Sequence, residues 1–433
     1  MIEDTFFTAE DSVCLQRATL ITEGYNRFAD RPAPLRRALA FDHVLRHMSL
    51  DLDSNPVFAG NTSSAPRAWM LVPEFGIGVD NQVALENDGL EAFFEGKLPA
   101  DLEGFWRERE FGRTPGGHAG PGHASLDFKR IVDHGLESLL TRIGACPEGN
   151  IAQQTSRRAM AVALRAVINW SARYAEAAEI RAGETEDPEL AACHRRVAAA
   201  CRHVPARPAR NLFEGLQAIA LVHLASVVEG QGMSVSIGLP DRALGRFTGD
   251  VESDPGGAVA LIRAFVMKIA SNSYCGRGAK TQAITVGGAA ADGAVHTPVT
   301  AAFLDAFART PVGDPTLYLR WHEDLDEALR RSAFDILSRG RSMPLLVNDH
   351  QVVPGLIEAG VPETQAWNYC IVGCNELSIP GRCPHSGVNY GVGFNDLAIV
   401  DRVIRERSDD HPTVNDILDD YETAVREHVI AGT

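Results

Sequence analysis

Apolar residues recur at helical spacing in several long stretches of the chain. Residues 155–181 lack Gly and Pro and are rich in Ala, and Thr155 or Ser156 stands where a helix N-cap is expected. Residues 323–339 carry acidic residues in the first turn and then an apolar i, i+3, i+4 stripe, and Gly340 follows where the helix would end. Two more helices are predicted over residues 188–203 and 211–230. The second of these is apolar on nearly every side, which is typical of a buried helix.

Short stretches rich in apolar residues lie between and after these helices. They are the segments 233–238, 283–288, 316–321 and 344–348. Because short apolar strands that alternate with helices are typical of α/β proteins, the sequence predicts an α/β fold. No stretch has the composition of a linker, so a single large domain over residues 1–433 is the simplest organisation.

Charge and cysteine content narrow the choice of partners and compartment. The chain has 57 acidic and 41 basic residues and a net charge of −16. Such a chain is repelled by phosphate backbones and anionic lipids, so we expect neither nucleic acid nor a membrane as a partner. The eight cysteines are irregularly spaced, which favours reduced thiols over a disulfide framework. The acidic N-terminus lacks a signal-peptide pattern and no apolar run approaches ~18 residues, so the sequence predicts a cytoplasmic protein.

Two groups of cysteines and histidines were weighed as sites. The first comprises Cys193, His194, Cys201 and His203. Their spacing is not that of a zinc site, so ordinary helix residues are the better interpretation and no metal site is predicted. The second is the pair His118 and His123 in the Gly-rich segment 112–124. A loop histidine can act as a base because its pKa lies near neutrality, but the pattern alone favours solvated side chains.

Residues 368–387 carry the sharpest candidate site. Gly373 and Cys374 end an apolar stretch, Glu376 follows two residues later, and His385 lies in the Pro- and Gly-rich segment beyond. Glycine allows close backbone approach, and the carboxylate can move a proton beside a reacting thiol. From these residues alone, a small buried cysteine is an equally good interpretation of Cys374. At the end of an earlier predicted strand, Arg320 either binds a carboxylate or forms an ion pair, and the pattern favours the ion pair.

The run NYCIVGCNE resembles the active-site cysteine loop of the glycyl radical enzymes, the pyruvate formate-lyase-like superfamily that includes glycerol and diol dehydratases and choline lyase. Eight further stretches resemble that family in the expected order along nearly the whole chain. They are residues 17–28, 34–41, 58–76, 122–139, 229–247, 284–293, 315–322 and 338–349. The resemblance implies a helix-rich α/β fold, half of a ten-stranded α/β barrel with its strands surrounded by helices. Residues 1–210 would be mainly helical, and residues 211–433 would form the half-barrel with the cysteine loop.

The resemblance also implies roles for individual residues. Cys374 matches the cysteine that becomes a thiyl radical and abstracts a substrate hydrogen, and Glu376 matches the carboxylate that serves dehydratases as acid/base. His123 matches a histidine on the substrate side. The other substrate contacts predicted near the motif or at strand ends are Arg320, Asn348, Asn375 and His385. Neither a metal nor a tightly bound cofactor is implied.

Three features depart from the family pattern. The sequence contains no glycyl-radical loop of the type R-V-x-G-[FYW], and RVAAA at 196–200 is not one. Where dehydratases have an Asp after the cysteine motif, this chain has Gly387, Val388 and Asn389. Cys370 is not adjacent to Cys374, which disfavours formate-lyase chemistry through two neighbouring cysteines.

Three functional hypotheses follow. In the first, the chain is the cysteine-bearing subunit of a split glycyl-radical-type lyase or dehydratase that cleaves a C–O, C–N or C–C bond in a small polar substrate. A second subunit would supply the protein-derived glycyl radical, and a radical S-adenosylmethionine activase would generate it. In the second, Cys374 is a thiolate nucleophile or acid in hydrolase or lyase chemistry, with Glu376 or His385 as base. In the third, the chain is a non-catalytic paralogue that binds a full-length family member. Because half a barrel leaves strand edges unpaired, we expect an oligomer.

Overall fold

The computed structural model describes ten segments of the chain. They are residues 2–9, 12–70, 123–230, 234–275, 278–279, 281–290, 293–294, 298–383, 396–407 and 413–432. The chain divides into two compact units, residues 1–386 and residues 387–433.

Helices account for most of the described residues. In chain order they are α1 (Ile2–Thr8), α2 (Gln16–Arg27), α3 (Ala33–His47), α4 (Phe128–Gly144), α5 (Ile151–Glu184), α6 (Pro188–Cys201), α7 (Leu212–Gly230), α8 (Pro240–Leu244), α9 (Thr248–Ser253), α10 (Pro255–Ser273), α11 (Pro298–Ala308), α12 (Glu327–Ser338), α13 (Asp349–Glu358), α14 (Glu363–Ala366), α15 (Asp396–Glu406) and α16 (Val414–Gly432). The four helices expected from the sequence are confirmed as α5, α6, α7 and α12.

The strands are short. They are β1 (Ser12–Cys14), β2 (Ala68–Met70), β3 (Ala124–Ser125), β4 (Val235–Ser236), β5 (Tyr274–Cys275), β6 (Gly278–Ala279), β7 (Ala283–Gly287), β8 (Ala289–Ala290), β9 (Gly293–Ala294), β10 (Thr316–Trp321), β11 (Leu345–Asn348), β12 (Cys370–Val372) and β13 (Glu376–Ser378). The four predicted strands are confirmed as β4, β7, β10 and β11.

One N-cap prediction is wrong. The helix expected to begin near Thr155 or Ser156 begins a full turn earlier, because Asn150 is its cap. The Asn150 side chain accepts the Gln153 N–H at 2.9 Å, and the Gln153 side chain accepts the Asn150 N–H at 3.1 Å. This reciprocal capping box satisfies two backbone donors at the helix start, whereas Thr155 lies inside the helix with its hydroxyl on the Ile151 carbonyl.

Five strands lie side by side and run parallel. β3 pairs with β4, and β10 pairs with both β7 and β11. The two groups join where Gly238 bridges Ile284 and the Thr285 N–H donates to the Gly238 carbonyl at 2.8 Å. The order is therefore β3–β4–β7–β10–β11, an open parallel array. Its first strand comes from the N-terminal part that was predicted to be mainly helical, so both parts of the chain build the array.

The two faces of this array have different neighbours. On β10, Leu317 and Leu319 pack into the large core formed with the helices. Tyr318 and Arg320 point to the opposite face, where Tyr318 packs with Tyr369 beside the β12–β13 hairpin. The alternation along one strand therefore supplies both the helix-facing core and the lining of the inner face.

α7 is the central helix of the core. Nearly all of its residues are buried. By length and hydropathy it is the one helix among the described residues that is able to cross a membrane, although 89% of its most apolar window is buried inside the protein. The sequence analysis found no stretch of this kind because Glu, Gln and His interrupt the apolar run. Its burial is that of a core helix in a globular protein.

Residues 387–433 contain a two-helix hairpin of α15 and α16. Ile399 and Val403 of α15 are buried with Ala424 of α16. The Arg407 guanidinium forms an ion pair with the Asp420 carboxylate across the two helices, with one N–O distance of 2.9 Å. This unit therefore has a small apolar core of its own.

Candidate active site

The predicted cysteine motif forms a β-hairpin on the inner face of the array. β12 and β13 pair antiparallel with Val372 opposite Glu376, so Gly373, Cys374 and Asn375 form the tip. The hairpin packs against β3, β4 and β7. The Ile371 N–H donates to the Thr285 hydroxyl of β7 at 3.0 Å, which fixes the hairpin to the parallel strands. Cys374 is exposed at the tip.

The carboxylate of Glu376 organises this tip. One oxygen, Oε2, accepts the backbone N–H of Cys374 at 2.8 Å and that of Asn375 at 3.1 Å. The other, Oε1, lies 2.6 Å from Nδ1 of His123. Burial opposes ionisation of this carboxyl, but the backbone N–H groups and His123 outweigh it, so the pKa of Glu376 is lowered. Glu376 is therefore ionised at neutral pH, and its outer oxygen, Oε1, is hydrogen-bonded to His123.

His123 reaches this carboxylate from the residue just before β3. Its backbone has a φ of +53°, a left-handed conformation that costs a non-glycine residue roughly 1–2 kcal/mol. Such conformations persist where surrounding structure imposes them, and they cluster at functional sites. The structure thus places His123 beside the cysteine motif, although His123 and Glu376 are 253 positions apart in the sequence.

Gly373 makes room for the Glu376–His123 pair. Its φ is +60°, and a Cβ on this residue would lie 2.4 Å from Oε2 of Glu376 and 2.6 Å from Nδ1 of His123. Real Cβ atoms do not approach polar atoms this closely. The glycine is therefore required both by its backbone conformation and by the side chains that occupy the space beside it.

A Gly373→Ala variant is expected to lose about 2–4 kcal/mol of unfolding free energy, because it combines left-handed strain with steric overlap. The matched control is Gly340→Ala, where φ is +77° and nothing lies within 4 Å of the added Cβ. That control should lose only about 1 kcal/mol. Urea unfolding of both variants measures the difference, and equal losses would contradict the close packing of the pair against Gly373.

Tyr318 contacts the cysteine loop and was missed by the sequence analysis. Its hydroxyl donates a short hydrogen bond to the carbonyl oxygen of Cys374. Burial raises the pKa of this phenol to about 12, and the neighbouring Cys374 and Glu376 add to the effect. The hydroxyl therefore stays protonated and able to donate. The signal available in the sequence was its spacing from Arg320, two residues along the same strand and hence on the same face.

The two cysteines of the hairpin have different environments. Burial raises the pKa of the Cys374 thiol, and the Glu376 carboxylate raises it further. No hydrogen bond to the Cys374 sulfur is present within the described residues. Cys370 is buried on β12, which raises the pKa of its thiol to about 12. Both thiols are therefore protonated at neutral pH, and only Cys374 is open to a reactant.

Arg320 forms an ion pair, which is the alternative that the sequence pattern favoured over a bound carboxylate substrate. Its side chain is 0% exposed, and its guanidinium binds the Asp349 carboxylate through two hydrogen bonds of 2.8 and 2.9 Å. The remaining donors reach the carbonyl oxygens of Trp367, Tyr369 and Ala289. All five guanidinium N–H groups are thus used inside the protein. Arg320 anchors the segment that leads into β12, and the structure offers no support for the predicted substrate contact.

The other predicted contacts are placed differently. Asn348 is exposed and caps α13 by accepting the His350 N–H at 3.0 Å, which is a structural role. Asn375 is exposed at the hairpin tip beside Cys374. His385 and His118 lie outside the described residues. The structure therefore brings together His123, Cys374, Asn375 and Glu376, with Tyr318 added.

The cysteines and histidines of α6 do not form a site. His194 is buried, and His203 uses its Nε2 on the Pro208 carbonyl at 2.8 Å. Among the residues that the structure describes, no three His, Cys, Asp or Glu side chains are grouped to hold a metal ion.

Nearly the whole chain is similar to proteins of a known family. Residues 2–413 match the family model described as pyruvate formate lyase-like. The (2S)-3-sulfopropanediol dehydratase of Klebsiella oxytoca is 23% identical, covering 88% of this chain and 53% of its own length. The isethionate sulfite-lyase of Nitratidesulfovibrio vulgaris is 25% identical, covering 91% of this chain and 55% of its own. This chain therefore spans about half the length of the curated relatives it matches.

Solved structures agree on the fold. The glycerol-bound B12-independent glycerol dehydratase of Clostridium butyricum matches with a TM-score of 0.77 and 20% identity, over 100% of this chain and 62% of that chain. The structure reported for 1,2-propanediol dehydration in Roseburia inulinivorans matches with a TM-score of 0.79 and 20% identity, over 98% of this chain and 60% of that one. The parallel array surrounded by helices is thus the corresponding part of a glycyl radical enzyme barrel, as the sequence predicted. The chain belongs to the pyruvate formate lyase-like family.

Proposed function

We propose that this chain is the cysteine-bearing part of a glycyl-radical-type lyase or dehydratase, which cleaves a C–O, C–N or C–C bond in a small polar substrate. The observation that carries the proposal is the hairpin tip, where an exposed thiol stands beside an ionised carboxylate that is itself paired with His123. The named activities of the relatives, dehydratases and a sulfite-lyase, are of this reaction class. The family match covers residues 2–413 and so extends into the second compact unit, which supports one such domain over residues 1–433.

The state of the thiol favours hydrogen-atom chemistry over thiolate chemistry. A nucleophilic cysteine is typically activated by a base or a cation that lowers its pKa. Here the neighbouring group is the Glu376 carboxylate, which raises the pKa of Cys374. The His123 imidazole is hydrogen-bonded through Nδ1 to the Glu376 carboxylate and not to the Cys374 sulfur. A protonated thiol retains the S–H hydrogen atom that is removed when a thiyl forms.

The residues then have separate roles. A glycyl radical, when present, would supply the means to convert the Cys374 thiol to a thiyl. As a thiyl, Cys374 would remove a hydrogen atom from the substrate carbon and return one to the product radical, so the thiyl is regenerated. The thiol would form again when the radical returns to the glycine. Glu376 accepts a proton from a substrate hydroxyl at its outer oxygen, while His123 donates a proton to the leaving group. Tyr318 and the backbone N–H bonds to Glu376 hold the tip in position during these steps.

The open edge of the array supports a second chain as the source of the radical. β11 pairs only with β10 among the described strands. Leu345 and Leu346 on this edge are each 42% exposed. An unpaired edge with apolar side chains is a template for a further strand. A subunit that carries an R-V-x-G-[FYW] loop and completes the barrel fits this edge, with a radical S-adenosylmethionine activase as the third component.

Native mass spectrometry of the protein purified anaerobically from its own source tests this arrangement. A stoichiometric second chain with an R-V-x-G-[FYW] loop supports the split enzyme. A single longer polypeptide that itself carries the loop keeps the chemistry and overturns the split arrangement. A homo-oligomer in which no chain has such a loop overturns the radical function.

The pH dependence of Cys374 alkylation separates thiol from thiolate chemistry. Burial and the Glu376 charge raise the pKa of this thiol. The rate of its alkylation by iodoacetamide should therefore increase with pH at a midpoint above about 8.5, the usual pKa of a cysteine. A Glu376→Gln variant removes the negative charge, so its midpoint should move to lower pH. Peptide mass spectrometry resolves Cys374 from the exposed Cys146, whose profile in the same samples serves as the control. A Cys374 midpoint below that of an ordinary thiol would favour the nucleophilic hypothesis instead.

A further inference from the structure

A polar cavity of about 420 Å³ opens at the base of the hairpin, at the end opposite Cys374. Its wall includes Asn368, just before β12, and Ile379, just after β13. Both strands of the hairpin therefore run from this cavity to the reactive tip. The proposed chemistry at Cys374 does not use it.

Positive charge dominates the lining of this cavity. Lys129, Arg242 and Arg382 line it with a single carboxylate, Asp127. Asp127 is engaged at the start of α4, where it accepts the Arg130 N–H at 3.1 Å and lies 3.6 Å from the Arg130 guanidinium. Lys129 is paired with Asp133 at 2.5 Å, so the excess positive charge of the lining comes from Arg242 and Arg382.

Among the described residues, the Arg242 guanidinium donates hydrogen bonds only to neutral acceptors. Its Nη1 donates to the Trp367 carbonyl at 2.8 Å and to the Asn368 side chain at 3.1 Å, and its Nη2 donates to the Ala289 carbonyl at 2.6 Å. Its Nε is buried without a hydrogen-bond partner in that part of the chain. Buried arginines are ordinarily paired with a carboxylate, because an uncompensated buried charge is costly.

The neighbouring Arg320 increases this cost. Both guanidinium groups donate to the carbonyl oxygens of Trp367 and Ala289, so two cations share one pair of acceptors. Asp349 is bound bidentately by Arg320, and the Asp241 carboxylate accepts from the Gly287 N–H and the Thr300 hydroxyl. Burial lowers the pKa of Arg242 to about 10, and the Arg320 charge lowers it further, while the Asp241 and Asp349 carboxylates oppose this shift.

We propose that this cavity binds a small oxyanion, a carboxylate, sulfonate or phosphate group, held by Arg242 and Arg382. The anion gives the Arg242 guanidinium a charged acceptor in direct contact, and charge-assisted hydrogen bonds to guanidinium groups are the strongest available to such a ligand. Arg382 is exposed and lines the same cavity. Residues next to both strands at the base of the hairpin form the wall. An anion bound here would therefore stabilise the strands that carry Cys374.

Isothermal titration of the full chain at constant ionic strength tests the site without any turnover assay. Inorganic phosphate, acetate and methanesulfonate are titrated separately. At least one should saturate a single site, with Arg242→Gln weakening it about tenfold or more and Arg382→Gln weakening it several-fold. Arg246→Gln is the matched control, since Arg246 is an exposed arginine nearby that does not line the cavity and should leave binding unchanged.

The outcomes are distinct. If Arg242→Gln does not fold, the exposed Arg382→Gln variant decides alone. Saturable binding that both arginine variants leave unchanged, or no saturable binding of any of the three anions, overturns the site. Binding that His123→Gln abolishes and the arginine variants leave intact would place the anion at the hairpin tip, which overturns this inference while leaving the proposed function standing.

Discussion

An Arg320→Met variant is expected to lose about 3–5 kcal/mol of unfolding free energy, the usual cost of removing one partner from a buried ion pair. The Arg320 and Asp349 side chains are 0% and 1% exposed. Without the guanidinium, the Asp349 carboxylate keeps only smaller partners such as the Tyr369 hydroxyl. The carbonyl oxygens of Trp367 and Tyr369 also lose a donor, so the segment entering β12 is released.

Equilibrium urea unfolding measures this loss. The control is Arg339→Met, which removes an exposed pair with Asp335 and should change stability by no more than about 0.5 kcal/mol. An Arg320→Met/Asp349→Leu double variant should recover much of the loss, because it removes the stranded carboxylate together with its partner. A single variant as stable as the control would show that the pair does not anchor the hairpin.

A Cys374→Ser variant is expected to lower turnover of the native complex by at least about a thousandfold, since the hydroxyl cannot replace the thiol in either enzymatic hypothesis. Its stability should hardly change, because Cys374 is exposed. The measurement is anaerobic turnover of the complex isolated from its own source. Cys383→Ser is the matched control, an exposed cysteine on the same segment outside the hairpin tip, and it should retain activity.

Full activity in Cys374→Ser would overturn both enzymatic hypotheses and leave the binding paralogue. A large loss in Cys374→Ser together with a large loss in Cys383→Ser would instead point to damage of the whole segment. The serine variant tests whether the Cys374 sulfur is required for turnover. The alkylation profile tests whether that sulfur is protonated at neutral pH.

The elements of this fold were largely predictable because their signals are local. The apolar periodicity of α12 and the all-apolar surface of α7 are each read within one stretch of sequence. The strands β7, β10 and β11 are marked in the same way by short apolar runs. The cap of α5 was missed because Asn150 stands before the periodic stretch and its partner Gln153 is not apolar.

The site was predictable only in part. Cys374, Glu376 and His123 were identified from their match to a family pattern, and the structure brings all three together. Tyr318 was missed because a tyrosine in an apolar strand has no distinguishing pattern. Arg320 and Asn348 were expected at the site because they stand at strand ends, but which group an arginine or asparagine meets there depends on residues distant in sequence.

By itself the sequence determined the type of most elements, the position of the cysteine motif and the family to which the chain belongs, because each of these is encoded in neighbouring residues or in their order. Only the tertiary structure decided that His123 pairs with Glu376, that Arg320 is bound by Asp349, and that the Arg242 guanidinium lies beside a cavity and donates only to neutral acceptors among the described residues. Each of these depends on hydrogen bonds and charges between segments far apart in the chain. Such contacts are fixed by packing and burial, which no local pattern records.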